Sequence, residues 1–394
     1  MLTWTPLVCF TVIAAIYCVS EVFAEKTHGY ISHMVFGAII SLALFWSGLV
    51  PKTLAVDSTL MTSLSAFAAA MIIVNMGTTI ELETLMAQWK TVVICCTGLV
   101  GLGILAFTVS VSVFGKEYAL CAAPPIAGAI IAYQIVAEAA TAAGRIDLAG
   151  YAALFLGLQS IIGMPVASFC LKRELIKMKR NGKLNANEEH SSKIKLPKMR
   201  LFKDPSPTFN SSTFKMAKLG LAAILAVTLT NLTGGKLNVN ISYLIVGVLL
   251  TRMNFLQKNI LVSGGGYTFC IICMYALLTN GYAAVSPTDL ARMIFPIIGM
   301  FAIGVTGIAV GAVVCGKLVG YSPLMSIAVS MTALFGYPGT EIISKEVCSS
   351  MDGFTEDEKA AALNFVMPRM IVGGFTTVTI ASVVFAGIIV PMIF

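Results

Sequence analysis

Apolar residues fall in runs of about 20 along the whole chain, separated by short polar connections. A helical run of this length crosses a hydrocarbon core about 30 Å thick, because each residue advances the helix by about 1.5 Å. The pattern therefore predicts an all-α polytopic membrane protein. The ten clearest runs are approximately 4–24, 30–50, 58–78, 91–114, 148–171, 215–234, 240–256, 259–280, 293–315 and 361–391.

Two further apolar segments, 118–143 and 321–347, are interrupted by proline, glycine and charged residues. Proline removes a helical hydrogen bond, and irregular backbone at membrane depth is tolerated only inside protein or beside a water-filled cavity. Each segment could cross the membrane as a broken helix or fold back as a re-entrant hairpin. Pro338 with Gly339 is the candidate tip of the second hairpin, unless the pair forms a plain turn.

The two halves of the chain repeat one another. "ISHMVFGAII" from Ile31 matches "ISYLIVGVLL" from Ile241, and "FLGLQSIIG" from Phe155 matches "FVMPRMIVG" from Phe365, both at an offset of 210. Self-similarity at a fixed offset indicates a duplicated architecture. The chain divides into a first transmembrane repeat (1–171), a linker (172–214) and a second transmembrane repeat (215–394).

The linker region carries much of the positive charge. Residues 172–218 contain 13 of the 26 Lys and Arg residues but only four acids. Lys and Arg concentrate on the cytoplasmic side of membrane proteins, so the linker is predicted to be cytoplasmic and the protein to be a multi-pass protein of the cell inner (plasma) membrane. Its Asn, Ser, Pro and Lys content indicates a solvated linker, and no nucleic-acid partner is predicted.

Basic residues in the short connections distinguish crossing segments from hairpins. Twelve crossings would place five of these residues inside and seven outside, whereas ten crossings with two re-entrant hairpins place seven inside and five outside. Only the second arrangement has the sign that the positive-inside rule requires. It predicts two inverted repeats of five transmembrane helices plus one re-entrant hairpin each, with both termini outside.

Composition and motifs exclude several function classes. The chain is 57% hydrophobic and 11% charged, whereas soluble domains are about a quarter charged. Its ten cysteines and three histidines do not form a metal-ligand spacing, and no catalytic triad, phosphate loop or dinucleotide-binding motif occurs. We therefore expect no enzyme activity, no organic cofactor and no structural metal.

Polar residues in the interrupted segments form the candidate site, because broken helices of inverted repeats meet near the bilayer midplane. Two sets of residues are predicted. The substrate set is Tyr133, Gln134, Glu138, Thr141, Gln159, Tyr337, Gly339, Thr340 and Arg369. The ion set is Glu138, Asn75, Thr340, Glu341 and Ser344. Alternatively, Glu138 and Glu341 could be solvated where the hairpins return to water, and Asn75 could link helices.

Arg369 is a charge within the last apolar run. A guanidinium in the membrane is costly unless it is paired, and its planar fork suits a carboxylate. The partner could be a substrate carboxylate, or it could be Glu138 or Glu341. Gln159 occupies the equivalent position in the first half, so polarity is shared between the halves but charge is not.

Three local motifs give the chain a resemblance to the glutamate:sodium symporter family, in the group that includes the 2-hydroxycarboxylate transporters. They are "ISHMVFGAII" from Ile31, "NMGTTIELETLMAQWKTV" from Asn75 and "GMPVASFCLKR" from Gly163. The resemblance implies inverted repeats, Na+ coupling, elevator-like movement of a core domain against the scaffold of a homodimer, and substrates such as glutamate. The family's glycine-rich hairpin signature is replaced here by "AYQIVAEAATAAG" and "FGYPGTEIIS", so the hairpins correspond only as regions.

The predicted function is secondary active transport of a small carboxylate or amino acid such as glutamate, with Na+ as the coupling ion. The expected partners are a small anionic solute, Na+ or H+, the lipid bilayer and a second copy of the chain. The alternatives are an H+-coupled carrier or antiporter of another organic anion, an ion channel of similar fold, or a sensor or assembly factor that keeps a transporter fold without transporting.

Overall fold

The computed structural model describes residues 3–27, 33–60, 63–80, 82–182, 201–202, 210–234, 237 and 239–394. All secondary structure in these ranges is helical. Six of the described helices are long and apolar enough to cross a membrane: Pro6–Lys26, Trp89–Phe114, Ile146–Arg180, Ser212–Leu232, Pro287–Val319 and Glu356–Met392. The prediction of an all-helical chain with the long apolar helices of a membrane-embedded protein is confirmed.

Ten α-helices are described in the first half. They are α1 (Pro6–Lys26), α2 (His33–Trp46), α3 (Leu54–Asp57), α4 (Ser63–Thr79), α5 (Leu82–Ala87), α6 (Trp89–Leu105), α7 (Val111–Phe114), α8 (Lys116–Ala127), α9 (Ala129–Ala142) and α10 (Ile146–Arg180). A π-helical turn, Ala106–Ser110, joins α6 to α7. The predicted spans at 30–50 and 58–78 correspond to the shorter helices α2 and α4.

The second half follows a similar order. It contains α11 (Ser212–Leu232), α12 (Val239–Arg252), α13 (Ile260–Ser263), α14 (Tyr267–Ala283), α15 (Pro287–Val319), α16 (Pro323–Met331), α17 (Gly336–Ser349), α18 (Glu356–Phe375) and α19 (Ser382–Ile389). A π-helical stretch, Thr376–Ala381, joins α18 to α19. A four-residue helix precedes a 17-residue helix in each half, α3 before α4 and α13 before α14.

Capping residues fix several helix starts. Ser286 and Asp289 form a reciprocal capping box at the start of α15, and Thr355 and Glu358 form another at the start of α18. The hydroxyl of Ser322 accepts a hydrogen bond from the amide of Met325 at the start of α16. These side chains satisfy amide groups that have no partner inside the helix.

Glycines allow the closest helix crossings. A Cβ added to Gly101 of α6 would lie 2.2 Å from the carbonyl oxygen of Gly307 of α15, and one added to Gly77 of α4 would lie 2.8 Å from the Cα of Gly247 of α12. Without a driving force between apolar helices in lipid, such close approach provides the packing energy. The antiparallel α6–α15 pair, whose fit needs both glycines, joins the two halves.

Ion pairing shows that α8 and α9 form a helical hairpin. The guanidinium of Arg145, just after α9, donates to Glu117 at the start of α8 over 2.6 Å. Both outer ends of this hairpin, hairpin 1 (residues 116–142), therefore lie where α10 begins, which we term the far end. The opposite end, where α10 finishes at Arg180, is the linker end.

The segment with α16 and α17 also returns to its starting end. The Tyr321 hydroxyl lies 2.9 Å from that of Thr91, near the start of α6, whose opposite end leads to Glu117 at the far end. After α17, Glu358 accepts a 2.6 Å bond from Lys179 of α10. Both outer ends of hairpin 2 (residues 323–349) therefore lie at the linker end.

Two sequence-based boundaries need correction. Residues 172–180, assigned to the linker, form the end of α10, because Leu171, Glu174 and Leu175 are buried and keep the helical period beyond the apolar run. Residues 183–200 and 203–209 of the linker lie outside the described ranges.

The tip of hairpin 2 is the second correction. The chain turns through Thr332–Leu334, a 3₁₀ turn, to Gly336, so Pro338 and Gly339 fall in the first turn of α17. A proline in a first helical turn costs little, since the amide it lacks would have no partner there. The prediction that Pro338 and Gly339 form the hairpin tip is therefore wrong, because Pro338 is compatible with the first turn of a helix.

Candidate functional site

The tips of the two hairpins meet in the middle of the molecule. A Cβ added to Gly128, between α8 and α9, would lie 3.4 Å from the carbonyl oxygen of Ala333 and 3.2 Å from that of Thr377. A Cβ added to Gly163, at the midpoint of α10, would lie 2.5 Å from the Cβ of Leu334. The site thus lies about equally far from the far end and the linker end.

Backbone irregularity is concentrated at these tips. Gly128 has φ 144° and ψ 127°, a conformation open essentially to glycine alone, and Gly336 has φ 55°. The π-helical stretch Thr376–Ala381 passes beside both tips, since Val378 contacts the positions of Gly128 and Gly336. Helix ends and π-helical turns leave carbonyl groups without their ordinary partners, and such groups can ligate a cation.

Buried side-chain oxygens without a hydrogen-bond partner in the described structure surround the tips. On α10, Gln159 Oε1 lies one turn before Gly163 and on the same face, and Ser160 Oγ follows it. Thr340 Oγ1 is the third, on α17. Thr376 Oγ1, in the π-helical stretch, is the fourth. A buried polar group without a partner costs about 1–3 kcal/mol, so four of them indicate a place for a ligand, ion or water.

Hairpin 1 holds four predicted residues on α9. Tyr133 is fully buried, and its hydroxyl donates to the carbonyl of Leu277 over 3.2 Å. The Gln134 amide donates to Glu138 over 2.7 Å and to the carbonyl of Ser65 over 3.1 Å. Glu138 is half-buried rather than solvated. The Gln134–Glu138 pair is therefore held against α4 and is partly shielded from solvent.

Thr141 completes the set on α9. Its hydroxyl donates to the carbonyl of Ala137 in the same helix over 2.7 Å, and its side chain is partly buried. It lies two turns beyond Gln134, towards the far end. Thr141 is consequently farther from the tips than Gln134.

Hairpin 2 separates its predicted residues into two groups. Thr340 and Ser344 are fully buried, and the Ser344 hydroxyl donates to the Thr340 carbonyl over 2.6 Å. Glu341 faces outwards and pairs with Lys345 over 2.6 Å. The Thr340 side of α17 faces the tips, whereas Glu341 and Lys345 form an ion pair on a neighbouring, partly exposed side of the helix.

Gly339 packs tightly, since an added Cβ would lie 2.9 Å from the Cε of Met164 on α10. A glycine here lets the first turn of α17 approach α10. The side chain of Tyr337, also predicted to bind substrate, lies outside the described part of the structure.

Arg369 lies on α18, partly buried and displaced from the tips. Its guanidinium stacks 3.8 Å above the centre of the Phe365 ring and lies 5.9 Å from that of Tyr321 at the linker end. It donates to the Phe365 carbonyl, while its Nε has no partner in the described residues. Neither Glu138 nor Glu341 forms a salt bridge with it. The guanidinium therefore points from α18 towards the linker end of hairpin 2.

Asn75 lies apart from the tips. Its Oδ1 accepts a 2.9 Å hydrogen bond from the amide of Leu261, and Thr78 Oγ1 accepts one from the amide of Asn259. These contacts hold the short helix α13 against α4. The arrangement joins two helices, as intramembrane amides commonly do.

Two residues of the site were not predicted. Ser160 and Thr376 carry no charge and belong to residue types that are common in this chain. Nothing in the sequence therefore marks either of them as a site residue. Gln159 was predicted because it aligns with Arg369 in the repeat.

The polar atoms around the tips are mostly neutral oxygens. Within the described ranges, no three His, Cys, Asp or Glu residues come together as a metal site. Hydroxyl, amide and carbonyl oxygens suit a hard cation rather than a transition metal. No family model matches the chain, and no curated protein matches it.

Proposed function

We propose that this protein is a secondary active transporter of a small carboxylate or amino acid, such as glutamate, coupled to Na+. The observation that carries the proposal is the meeting of two hairpin tips, Gly128 against Ala333, among buried oxygens that lack partners. Unwound backbone and short-helix ends at the centre of a helical membrane protein are the usual setting for a solute and its coupling ion. The sequence resemblance to glutamate:sodium symporters supports the same proposal.

The proposal includes inverted repeats with re-entrant hairpins. Hairpin 1 has both outer ends at the far end, by the Arg145–Glu117 pair, and hairpin 2 has both at the linker end. An in-plane two-fold axis between α6 and α15 would relate them, since these equivalent helices are antiparallel at Gly101 and Gly307. With the basic linker in the cytoplasm, both chain termini lie outside.

The neutral oxygens around the tips would couple solute binding to Na+ binding. A Na+ ion bound at Thr340, Thr376 and the free carbonyls would supply the positive charge that an anionic solute needs at membrane depth. Arg369 would attract the solute at the linker end of hairpin 2. Elevator-like movement of the hairpins with α10 against the remaining helices, in a homodimer, completes the proposed mechanism.

A thermal-shift screen of carboxylates and amino acids, with Na+ or with choline in its place, tests the proposal. Ligand binding to the folded state raises its melting temperature by mass action. The expected result is a shift by one carboxylate class that requires Na+ and is lost in Thr340→Val. Thr279→Val is the matched control, because that buried hydroxyl already donates within α14. If no carboxylate or amino acid raises the melting temperature, either with Na+ or with choline, the proposal fails.

Proton coupling through Glu138 is a second candidate, favoured by the half-buried Gln134–Glu138 pair. It predicts that the shift depends on pH and not on Na+. The affinity of the Glu138→Gln variant for the solute would then not depend on pH. The same screen therefore separates the two coupling ions.

A further inference from the structure

An apolar groove of about 530 Å³ lies between α10 and α15. Its walls include Leu158, Ile161 and Ile162 of α10, and Ile298, Phe301 and Val305 of α15. The hydroxyl of Thr306, also in the wall, donates to the carbonyl of Ala302 and offers little to a polar ligand. Ile161 is 45% exposed and Ile298 63% exposed, so the groove opens outwards.

The same face of α10 becomes basic towards the linker end. Phe169 is 57% exposed, and the guanidinium of Arg173 stacks 5.2 Å from its ring centre. Lys172, Arg173 and Arg180 are exposed, and none forms an ion pair with another described residue. Helical periodicity places all of them in one stripe with Ile161 and Phe169. An apolar groove and a cationic patch are thus parts of a single surface.

The spacing of the two parts matches one lipid leaflet. Eleven residues separate Ile161 from Lys172, which is roughly 16 Å at about 1.5 Å per residue. Half of a hydrocarbon core about 30 Å thick is about 15 Å, the depth that one acyl chain occupies. A chain lying along Ile161 and Phe169 would therefore bring its headgroup phosphate to Lys172 and Arg173.

We propose that this surface binds one anionic phospholipid, with an acyl chain in the groove between α10 and α15 and the headgroup at Lys172 and Arg173. Lys and Arg attract anionic headgroups at the membrane surface, and a basic cluster beside an apolar groove selects them over zwitterionic lipids. The groove walls α10 and α15 both pack against α16 of hairpin 2. The bound lipid therefore adjoins a helix of the proposed transport site, although the inference does not depend on any solute.

Native mass spectrometry of the full-length, delipidated protein tests the proposal. Dioleoyl-phosphatidylglycerol and dioleoyl-phosphatidylcholine have the same acyl chains and differ in headgroup charge. The first molecule of phosphatidylglycerol to bind should bind more tightly than the first molecule of phosphatidylcholine. The double variant Lys172→Gln, Arg173→Gln should lower the affinity for phosphatidylglycerol roughly tenfold or more. Ile161→Trp should weaken binding of both lipids by filling the groove. Lys26→Gln with Lys90→Gln, which removes two exposed lysines elsewhere, should change neither affinity.

Three results would overturn the proposal. The first is equal affinity of the wild-type protein for both lipids. The second is unchanged phosphatidylglycerol binding in the Lys172→Gln, Arg173→Gln variant. The third is efficient cross-linking between two copies that carry Ile298→Cys in a bilayer, because a second copy and not a lipid would then cover the groove.

Discussion

A Cβ on Gly128 would lie 3.4 Å from the carbonyl oxygen of Ala333, so the tips of the two hairpins are in contact. Gly128 lies about as far along the chain from the far end as Ala333 does from the linker end. This contact is the basis of the predictions that concern transport.

Gly128→Ala should impair both stability and transport. The φ of 144° at Gly128 is a conformation that costs other residues about 1–3 kcal/mol, and the added methyl group would press on the carbonyl of Thr377. Thermal unfolding of the purified protein measures the effect. Gly220→Ala is the control, since Gly220 lies in α11 with open space around it and alanine favours helix. Equal melting temperatures for the two variants would contradict the prediction.

Thr340→Val should lower ligand affinity without lowering stability. The Thr340 hydroxyl oxygen is buried and has no hydrogen-bond partner among the described residues, so its removal costs the fold nothing and could stabilise it. Thermal unfolding with and without ligand separates the two effects. A variant that is less stable than wild type in the absence of ligand would show that the hydroxyl has a structural partner.

Arg369→Gln should weaken binding of an anionic solute while the protein stays folded. The guanidinium has no carboxylate partner in the described structure, and its Nε is unpartnered, so no buried countercharge is left behind. Arg369→Lys keeps the charge but loses the planar fork, and should bind with intermediate affinity. Wild-type affinity in a well-folded Arg369→Gln protein would exclude a direct role in binding.

The stability of the protein should depend weakly on pH through Asp147, which lies in the first turn of α10, just before the apolar run 148–171. The hydrogen bond from Arg145 holds the pKa of Asp147 below its ordinary value of 3.8. A lowered carboxyl pKa stabilises the folded state above pH 3.8, and that contribution is lost as the pH falls from 3.8 through the lowered pKa. The groups are substantially exposed, so the effect should be at most about 1 kcal/mol.

Melting temperatures of wild type and Asp147→Asn across this pH range provide the test. The two proteins should differ above pH 4 and converge as the pH falls further. A constant difference at all pH values would mean that the charge of Asp147 does not contribute.

The sequence predicted more of the fold than of the site. Each of the ten apolar runs contains helix in the described residues, and six of the described helices are long enough to cross a membrane. A long apolar run has few alternatives to helix in a membrane. Both interrupted segments contain breaks, at Gly128 and around Phe335. The break in the second was placed too late, because Pro338 is compatible with a first helical turn.

The candidate site of the structure shares only some residues with the set predicted from the sequence. Sequence reasoning favours charged residues, whereas the oxygens around the tips are mostly neutral. Gln159 was predicted from the repeat alignment, and Thr340 was predicted as a polar residue of an interrupted segment. Both residues lie near the tips. Ser160 and Thr376 were missed, since only the fold turns their hydroxyls into buried, unpartnered groups. Asn75 was included by its polarity, whereas tertiary contacts join it to the amide of Leu261.

Uptake into proteoliposomes tests the central claim most directly. Wild-type protein and Thr340→Val would be reconstituted at equal density, and labelled glutamate and any carboxylate active in the thermal-shift screen would be supplied with an inward Na+ gradient. The account predicts accumulation by wild type, abolished by a sodium ionophore and strongly reduced in Thr340→Val. Absence of gradient-driven accumulation for every such solute, or equal accumulation by both proteins, would contradict it.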